Sequence, residues 1–353
     1  MLNWLLVFVP VAVALEHLAP GRPLWIFAAS ALAIVPLAGW MGHATEHLAA
    51  RMGEGVGGLL NATFGNAAEL IIALVALRAG LHDVVRASLA GSIVGNILLV
   101  LGAAMLAGGL RHRPEQHFNA AGARSQATML TLAAIALVMP AAFQRLVALP
   151  TPPSLSLWIS LVLIVVYATN LVFSLGTHRA LFTGSHAEGE GAHAAMWSAG
   201  RAGLVLAAAT AAIAWMSEIL VGALEPATHA LHLNQVFVGV FVVAILGNAA
   251  EHATAVSAAL KDRMDLSLSI AIGSSVQVAL FVAPVLVLLS YAVGPAPMDL
   301  AFRGGLVLAV LLSVLITGQV AGDGRSDWLK GVQLLAVYVI LGLTYFFAPA
   351  PPG

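Results

Sequence analysis

The amino-acid sequence predicts an all-α integral membrane protein of about eleven transmembrane helices, with one extra N-terminal helix followed by two inverted five-helix repeats. Three observations predict it. Of 353 residues, 60% are hydrophobic and 9% charged, and the apolar runs repeatedly reach the roughly 20 residues that carry a helix across a bilayer. The string GNAAE occurs twice inside apolar sequence, at 65–69 and 247–251. The single long polar stretch, 178–201, falls between the two copies and divides the chain. No span alternates over ten-residue units, which speaks against a transmembrane β-barrel.

Taken in order, polar, Pro and Gly breaks delimit spans near 2–19, 24–47, 55–79, 84–108, 124–148 and 155–176, then 202–224, 234–260, 266–292, 300–320 and 328–348. The opening MLNWLLVFVPVAVALEHLAPG has no basic leader and carries Glu16 and His17, so it reads as a retained helix rather than a signal peptide. The resulting units are the extra helix at 1–22, a first repeat at 23–177, a cytoplasmic polar linker at 178–201 and a second repeat at 202–353. With the N-terminus cytoplasmic, the inner loops hold Arg51, Arg111, Arg113, Arg124, Arg179, Arg201, Lys261, Arg263, Arg325 and Lys330, against Arg22, Arg78, Arg86, Arg145 and Arg303 outside. Basic residues favour the cytoplasmic side, so this bias sets the orientation. The Arg-rich, Ala-rich composition fits a bacterial inner membrane. A net charge of −1 argues against a nucleic-acid partner, and the absence of cysteine removes disulfide and thiolate chemistry.

One offset superposes Glu69 on Glu251, Gly65-Asn66 on Gly247-Asn248, Asp83 on Asp265 and Gly91-Ser92 on Gly273-Ser274 without a gap. With a gap, Thr45-Glu46 falls on Ser217-Glu218. Equivalent helices lie five spans apart, an odd number, so the copies insert with opposite topology, the plan of secondary transporters with a site near the midplane. Alternating access is expected to rock one repeat against the other about the GNAAE helices. At 1.5 Å per residue, Glu69 lies roughly 15 Å before the turn at Gly80, and Ser92 a similar distance after Asp83. Asn66 and Glu69 share a helix face, as do Asn248 and Glu251.

Small Gly, Ala and Ser positions are ordinary in helix interfaces, and Asp83 and Asp265 read as helix N-caps. A glutamate at the bilayer centre is different. It costs at least a few kcal/mol and marks function by default. Carboxylates, amide carbonyls and hydroxyls are ligands for a hard cation such as calcium, and the lack of thiolates weakens zinc or copper. Two facing carboxylates in low dielectric cannot both remain ionised and empty; they need a divalent cation or protons. Mutual exclusion of the two gives antiport, with calcium and protons as the transported species, no cofactor and no enzymatic step. Oxygen ligands alone leave Mn2+, Na+ and K+ open, and the sequence leaves open a homo-oligomer.

The stretches GVGGLLNATFGNAAELIIALVALRAGLHDVVRASLAGSIVGNILLVLG (55–102) and FVGVFVVAILGNAAEHATAVSAALKDRMDLSLSIAIGSSVQVALFVAP (237–284) closely resemble the two signature regions of the calcium/proton exchangers, within the cation/calcium exchanger superfamily. The resemblance follows the helix order of nearly the whole chain. It implies that Glu69 and Glu251 bind the cation or protons, with Asn66, Asn248, Ser92, Ser274 and Gln277 helping. Gly95 stands where that family usually has Ser, and VVAIL replaces a frequent Pro-containing segment before the second motif. Sodium/calcium exchangers are the competing relatives. They typically carry Pro before the motif glutamate, where this chain has Ala68 and Ala250.

Other titratable groups have rival readings. His43-Ala-Thr-Glu46-His47 fits the H-x-x-E-H zinc pattern of an intramembrane peptidase, but the matching SEILV segment lacks both histidines. Glu46 and Glu218 are expected along the ion path. His252, beside Glu251, either tunes proton affinity or is a neutral histidine bonded within the bundle. His178, His186, Glu188, Glu190 and His193 read as a solvated linker rather than a metal site.

Overall fold

A computed structural model describes residues 3–52, 54–147, 153–178, 197–302 and 305–348. Helix α1 (Phe8–Leu18) continues a 3-10 turn at Asn3–Val7, and α2 (Pro23–Ala49) opens on proline, whose missing N–H costs nothing in a first turn. The third span is two helices, α3 (Glu54–Phe64) and α4 (Ala67–Arg78), interrupted at Gly65 and Asn66. Helix α5 (His82–Val94), a π-helical turn at Gly95–Val100 and α6 (Leu101–Arg111) form one 30-residue span. Helices α7 (Ala120–Val147) and α8 (Pro153–Val172) follow, α8 ending in a π turn at Phe173–Thr177.

The second half begins with the 32-residue α9 (Ala199–Ala230). Helices α10 (Gln235–Phe237) and α11 (Ala244–Leu260) flank a π turn at Val238–Val243. Helix α12 (Met264–Gln277), a π turn at Val278–Val282 and α13 (Ala283–Val293) make another 30-residue span. Helices α14 (Leu306–Val320) and α15 (Trp328–Phe346) complete the fold. Among the described residues, 8 helices are long and apolar enough to cross a membrane. Asn3–Leu18 and Leu306–Val320 are shorter apolar helices, and the interrupted α3–α4 pair supplies the remaining predicted span.

Two local expectations are corrected. The tenth helix starts at Leu306, not near 300, because the preceding loop satisfies its backbone elsewhere: Met298 N donates to Ser290 Oγ at 2.8 Å and Leu300 N to Ser156 Oγ at 3.0 Å. A short antiparallel strand pair, β1 (Gln116–His117) with β2 (Arg325–Ser326), joins two loops. Asp83 and Asp265 do not cap their helices. Leu81 and Arg263 occupy the cap positions, and the two acids sit in the first turn. Asp83 instead pairs with Arg86 at 2.5 Å, and Asp265 accepts the Asn119 N–H at 2.6 Å. In the linker, His178 stacks on Phe173 with ring centroids 4.1 Å apart; His186, Glu188, Glu190 and His193 lie outside the described residues.

Apolar packing forms two clusters that do not follow the two repeats. One gathers α1, α2 and α9, with Ala67, Ala68 and Ile72 of α4 against it. The other gathers most of α5 to α8 and α11 to α15. Helix α2, from the first half, packs most extensively on α9, from the second. Glycines set the closest approaches. Helix α5 lies on the π turn at Val238–Val243, where a Cβ at Gly91 would overlap the Val240 backbone and one at Gly239 would stand 2.7 Å from Ala87 Cβ. That contact holds α5, and Ser92 with it, against the second half.

Gly91→Ala is therefore predicted to strain a full core, at a cost of roughly 1–3 kcal/mol. Thermal unfolding of the purified protein in detergent checks this. The expected result is a lowered midpoint, and an unchanged midpoint would show a looser crossing.

Candidate functional site

The interruption of the third span builds the first half of the site. Gly65 N closes on Asn61 O at 2.8 Å, Asn66 takes the cap position of α4, and Glu69 falls in the first turn of that helix. A carboxylate there meets the positive end of the helix dipole. The second GNAAE has the same residues but a different backbone. Glu251 lies inside the uninterrupted α11, and the irregularity moves upstream to the π turn at Val238–Val243.

The two halves interlock through side chains. Glu69 Oε1 accepts the Ser92 hydroxyl at 2.5 Å and the Asn248 amide. Asn248 Nδ2 also reaches Ser92 Oγ at 3.2 Å. In the other half, Asn66 Oδ1 accepts the Ser274 hydroxyl at 3.0 Å, while Asn66 Nδ2 donates to Gln277 Oε1 at 2.6 Å. Each motif asparagine thus crosses to the serine of the other half. The motif glycines lie beside the acids. A Cβ at Gly247 would stand 3.1 Å from Glu69 Cγ, and one at Gly65 would stand 3.8 Å from Glu251 Oε1. Each glutamate folds over the other motif's glycine.

All seven residues expected to bind the cation or protons, Glu69, Glu251, Asn66, Asn248, Ser92, Ser274 and Gln277, therefore meet in one cluster. Asn66 and Asn248 are each 2% exposed. Glu69 Oε2 and Glu251 Oε2 are buried without a hydrogen-bond partner, and the two carboxylates lie close enough to repel. An unsatisfied buried carboxylate oxygen is expensive. A hard cation or a proton supplies what the protein does not, so the donor set fits the cargo expected of it.

Asn96, 2% exposed, also belongs to the cluster and was not expected there. Its Nδ2 donates to Ser274 Oγ at 3.2 Å and its Oδ1 faces His252 Nε2 at 3.1 Å. The offset that superposes the two motifs puts Val278 opposite it, so the repeat carries no signal for Asn96. Its spacing does, because four residues after Ser92 is the same helix face. His252 makes this contact from inside the bundle, one residue after Glu251.

The remaining expected residues lie apart. Glu46 is exposed near the end of α2 and stands 3.5 Å from His43. Glu218 lines an open cleft of about 510 Å³ with Arg78, Glu225 and Val75, between the end of α4 and α9. In HATEH, His47 is stacked on Trp197 at 4.7 Å, and among the described residues no three His, Asp or Glu side chains stand together as a metal site. The peptidase reading has no support in this geometry.

A family model described as sodium/calcium exchanger protein matches residues 22–176 and 202–347. A Ca2+/H+ antiporter of Synechocystis sp. is 46% identical over 367 residues, covering 98% of this chain and 96% of that protein. The Ca2+/H+ antiporter ChaA of Bacillus subtilis is 42% identical, covering 91% of this chain and 92% of that protein. The solved structure of native YfkE superposes with a TM-score of 0.84 at 38% identity, covering 99% of this chain and 100% of that one.

Replacing either acid by its amide keeps the shape and removes a buried charge. Glu69→Gln and Glu251→Gln are predicted to leave the protein folded, with thermal midpoints in detergent equal to or above the parent value. A marked drop in either midpoint would mean that the carboxylates hold the fold together rather than serve a ligand.

Proposed function

The chain belongs to the sodium/calcium exchanger protein family, and from that premise we propose that it is a secondary active antiporter exchanging Ca2+ for H+ across a membrane. It is a transporter rather than an enzyme. The observation that carries the proposal is the pair Glu69 and Glu251, each with a buried Oε2 that no protein group satisfies. One calcium ion or two protons neutralise the pair, and each excludes the other. An empty pair carrying two negative charges is too costly to move through low dielectric, which suppresses uncoupled return. The serines, the asparagines and Gln277 offer further oxygens in the flexible geometry calcium accepts.

Relatives named as Ca2+/H+ antiporters match over nearly the whole chain, which supports protons rather than sodium as the counter-ion. Ala68 and Ala250 before the motif glutamates favour the same choice. The repeats at 23–177 and 202–353 insert with opposite topology, the N-terminus is cytoplasmic, and the membrane is a bacterial inner one. Basic loop residues and composition support these assignments. Alternating access rocks one repeat against the other about the two GNAAE helices, exposing the site to each side in turn.

Calcium flux into proteoliposomes under an imposed proton gradient, with a sodium gradient substituted in parallel, tests the proposal. Proton-driven flux is expected. Sodium-driven flux indifferent to the proton gradient would overturn the counter-ion. Because protons and calcium compete for the same carboxylates, apparent calcium affinity is predicted to fall as pH falls, and a flat affinity would remove protons from the site. Normalised to inserted protein, Glu69→Gln and Glu251→Gln are predicted to abolish exchange, whereas Glu46→Gln and Glu218→Gln retain most of it. Near-normal exchange by either member of the first pair would contradict the paired-carboxylate mechanism.

A further inference from the structure

The two motif-bearing spans carry glycines at matching places but pack them differently. In the second half the π turn at Val238–Val243 is pressed onto α5: a Cβ at Gly239 would stand 2.7 Å from Ala87 Cβ and 3.4 Å from Ser88 N, and one at Gly91 would overlap the Val240 backbone. The motif offset makes Gly273 the counterpart of Gly91 and Gly58 the counterpart of Val240. Gly58 lies instead against Leu175, and among the described residues only Gln126 Nε2, at 3.8 Å, comes within 4 Å of a Cβ at Gly273 from outside α12. One crossing is therefore shut and its counterpart open. Helix α15 supplies the difference. Phe241, 9% exposed, seats its ring at Gly342 of α15, where an added Cβ would meet it at 3.5 Å. Tyr338 and Tyr345 share the helix face of Gly342 and flank the ring at centroid distances of 5.3 and 6.1 Å. Phe237 backs it at 5.1 Å and itself meets Phe346 edge-on at 5.7 Å. The offset puts Leu59 opposite Phe241 and Gly55 opposite Phe237, so the first half has no ring to seat at either place.

We propose that Phe241 is a positioning residue for exchange: seated in the notch that Tyr338, Gly342 and Tyr345 form on α15, it presses the π turn onto α5 and keeps the site shut from the side on which α9 ends, and its departure from the notch opens that side. The proposal rests on the alternating-access reading of the same protein. Ring pairs of this geometry stabilise a contact beyond the area they bury, enough to bias two arrangements without locking one. The notch also carries a standing cost that favours release. Among the described residues the buried Tyr338 hydroxyl has no hydrogen-bond partner, and it regains one when the ring leaves and water enters. Phe241 stands outside the carboxylate cluster. It acts through Gly239 and Val240 on α5, where Ser88 lies one turn before Ser92 on the same helix face.

The chain has no cysteine, so single introduced cysteines report the two crossings separately. Ser88→Cys lies under the π turn and Gln126→Cys stands beside Gly273, and the labelling rate of each with a water-soluble maleimide is measured on the purified full-length protein. Phe241→Ala is predicted to speed labelling of Ser88→Cys about fivefold, the worth of one aromatic contact. It is predicted to slow labelling of Gln126→Cys, because a population shifted toward one opening is withdrawn from the other. General loosening of the fold speeds both. Gly342→Leu fills the notch from α15, moves the two probes in the same opposite directions and keeps the test open if Phe241→Ala inserts poorly. In that background Phe241→Ala adds nothing further, since both variants remove one contact. Parent-like labelling of Ser88→Cys in both variants, or faster labelling of both cysteines, would overturn the role of Phe241. Absence of proton-driven calcium flux in the parent protein would instead overturn the underlying function, which the labelling does not measure.

Discussion

Two carboxylates buried side by side, each with an oxygen that the protein leaves unsatisfied, set the terms for the rest of the structure. Such a pair is tolerable in an apolar bundle only if a cation or protons neutralise it and if surrounding groups hold it at a fixed separation. The motif GNAAE answers both demands. Its glycine lies against the opposite glutamate, its asparagine crosses to the opposite serine, and its glutamate carries the charge. Both serines stand close before a π-helical turn, at Gly95–Val100 and at Val278–Val282, where the widened helix frees it from strict α register.

The frame that holds the pair is itself reciprocal. The turn between α11 and α12 is held by the loop from His112 to Asn119. His112 Nε2 lies 2.9 Å from Leu260 O, Gln116 Nε2 donates to Ala259 O at 2.9 Å and to Asp262 Oδ1 at 2.8 Å, and Asn119 N donates to Asp265. The turn between α4 and α5 is held by the loop that the motif offset makes equivalent. There Asp299 accepts from Arg86 at 2.6 Å, and Arg86 also binds Asp83. Each half therefore clamps the glutamate-bearing hairpin of the other, one clamp by neutral donors on backbone carbonyls and two aspartates, the other by a buried guanidinium. Cross-clamping of this kind ties the two hairpins into one body, and the small residues Ala67 and Ala68 leave α2 and α9 a smooth surface against it.

Much of this was legible in the sequence because duplication makes burial visible. Glu69 and Glu251 stand out through two identical strings in apolar runs, and Ser92 and Ser274 follow at equal distances. Asn96, which has no repeat partner, was silent: the motif offset puts Val278 opposite it. The interruption at Gly65 and Asn66 was silent for the opposite reason, since the same letters at 247–248 form continuous helix and tertiary packing decides which copy breaks. The two aspartates taken as caps failed because an arginine three residues on and a distant backbone N–H outcompete the local helix end for them. The apolar clusters, which set α1, α2 and α9 apart, depend on contacts between halves that no linear pattern encodes.

The central claim is that calcium and protons compete for the same two carboxylates. Adding calcium to the purified protein in weakly buffered detergent, and recording the pH, measures that competition without transport. The account predicts that binding releases protons at a pH where the empty site is protonated, and that the release shrinks when one glutamate is replaced by glutamine. Calcium binding with no proton release at any starting pH would contradict it.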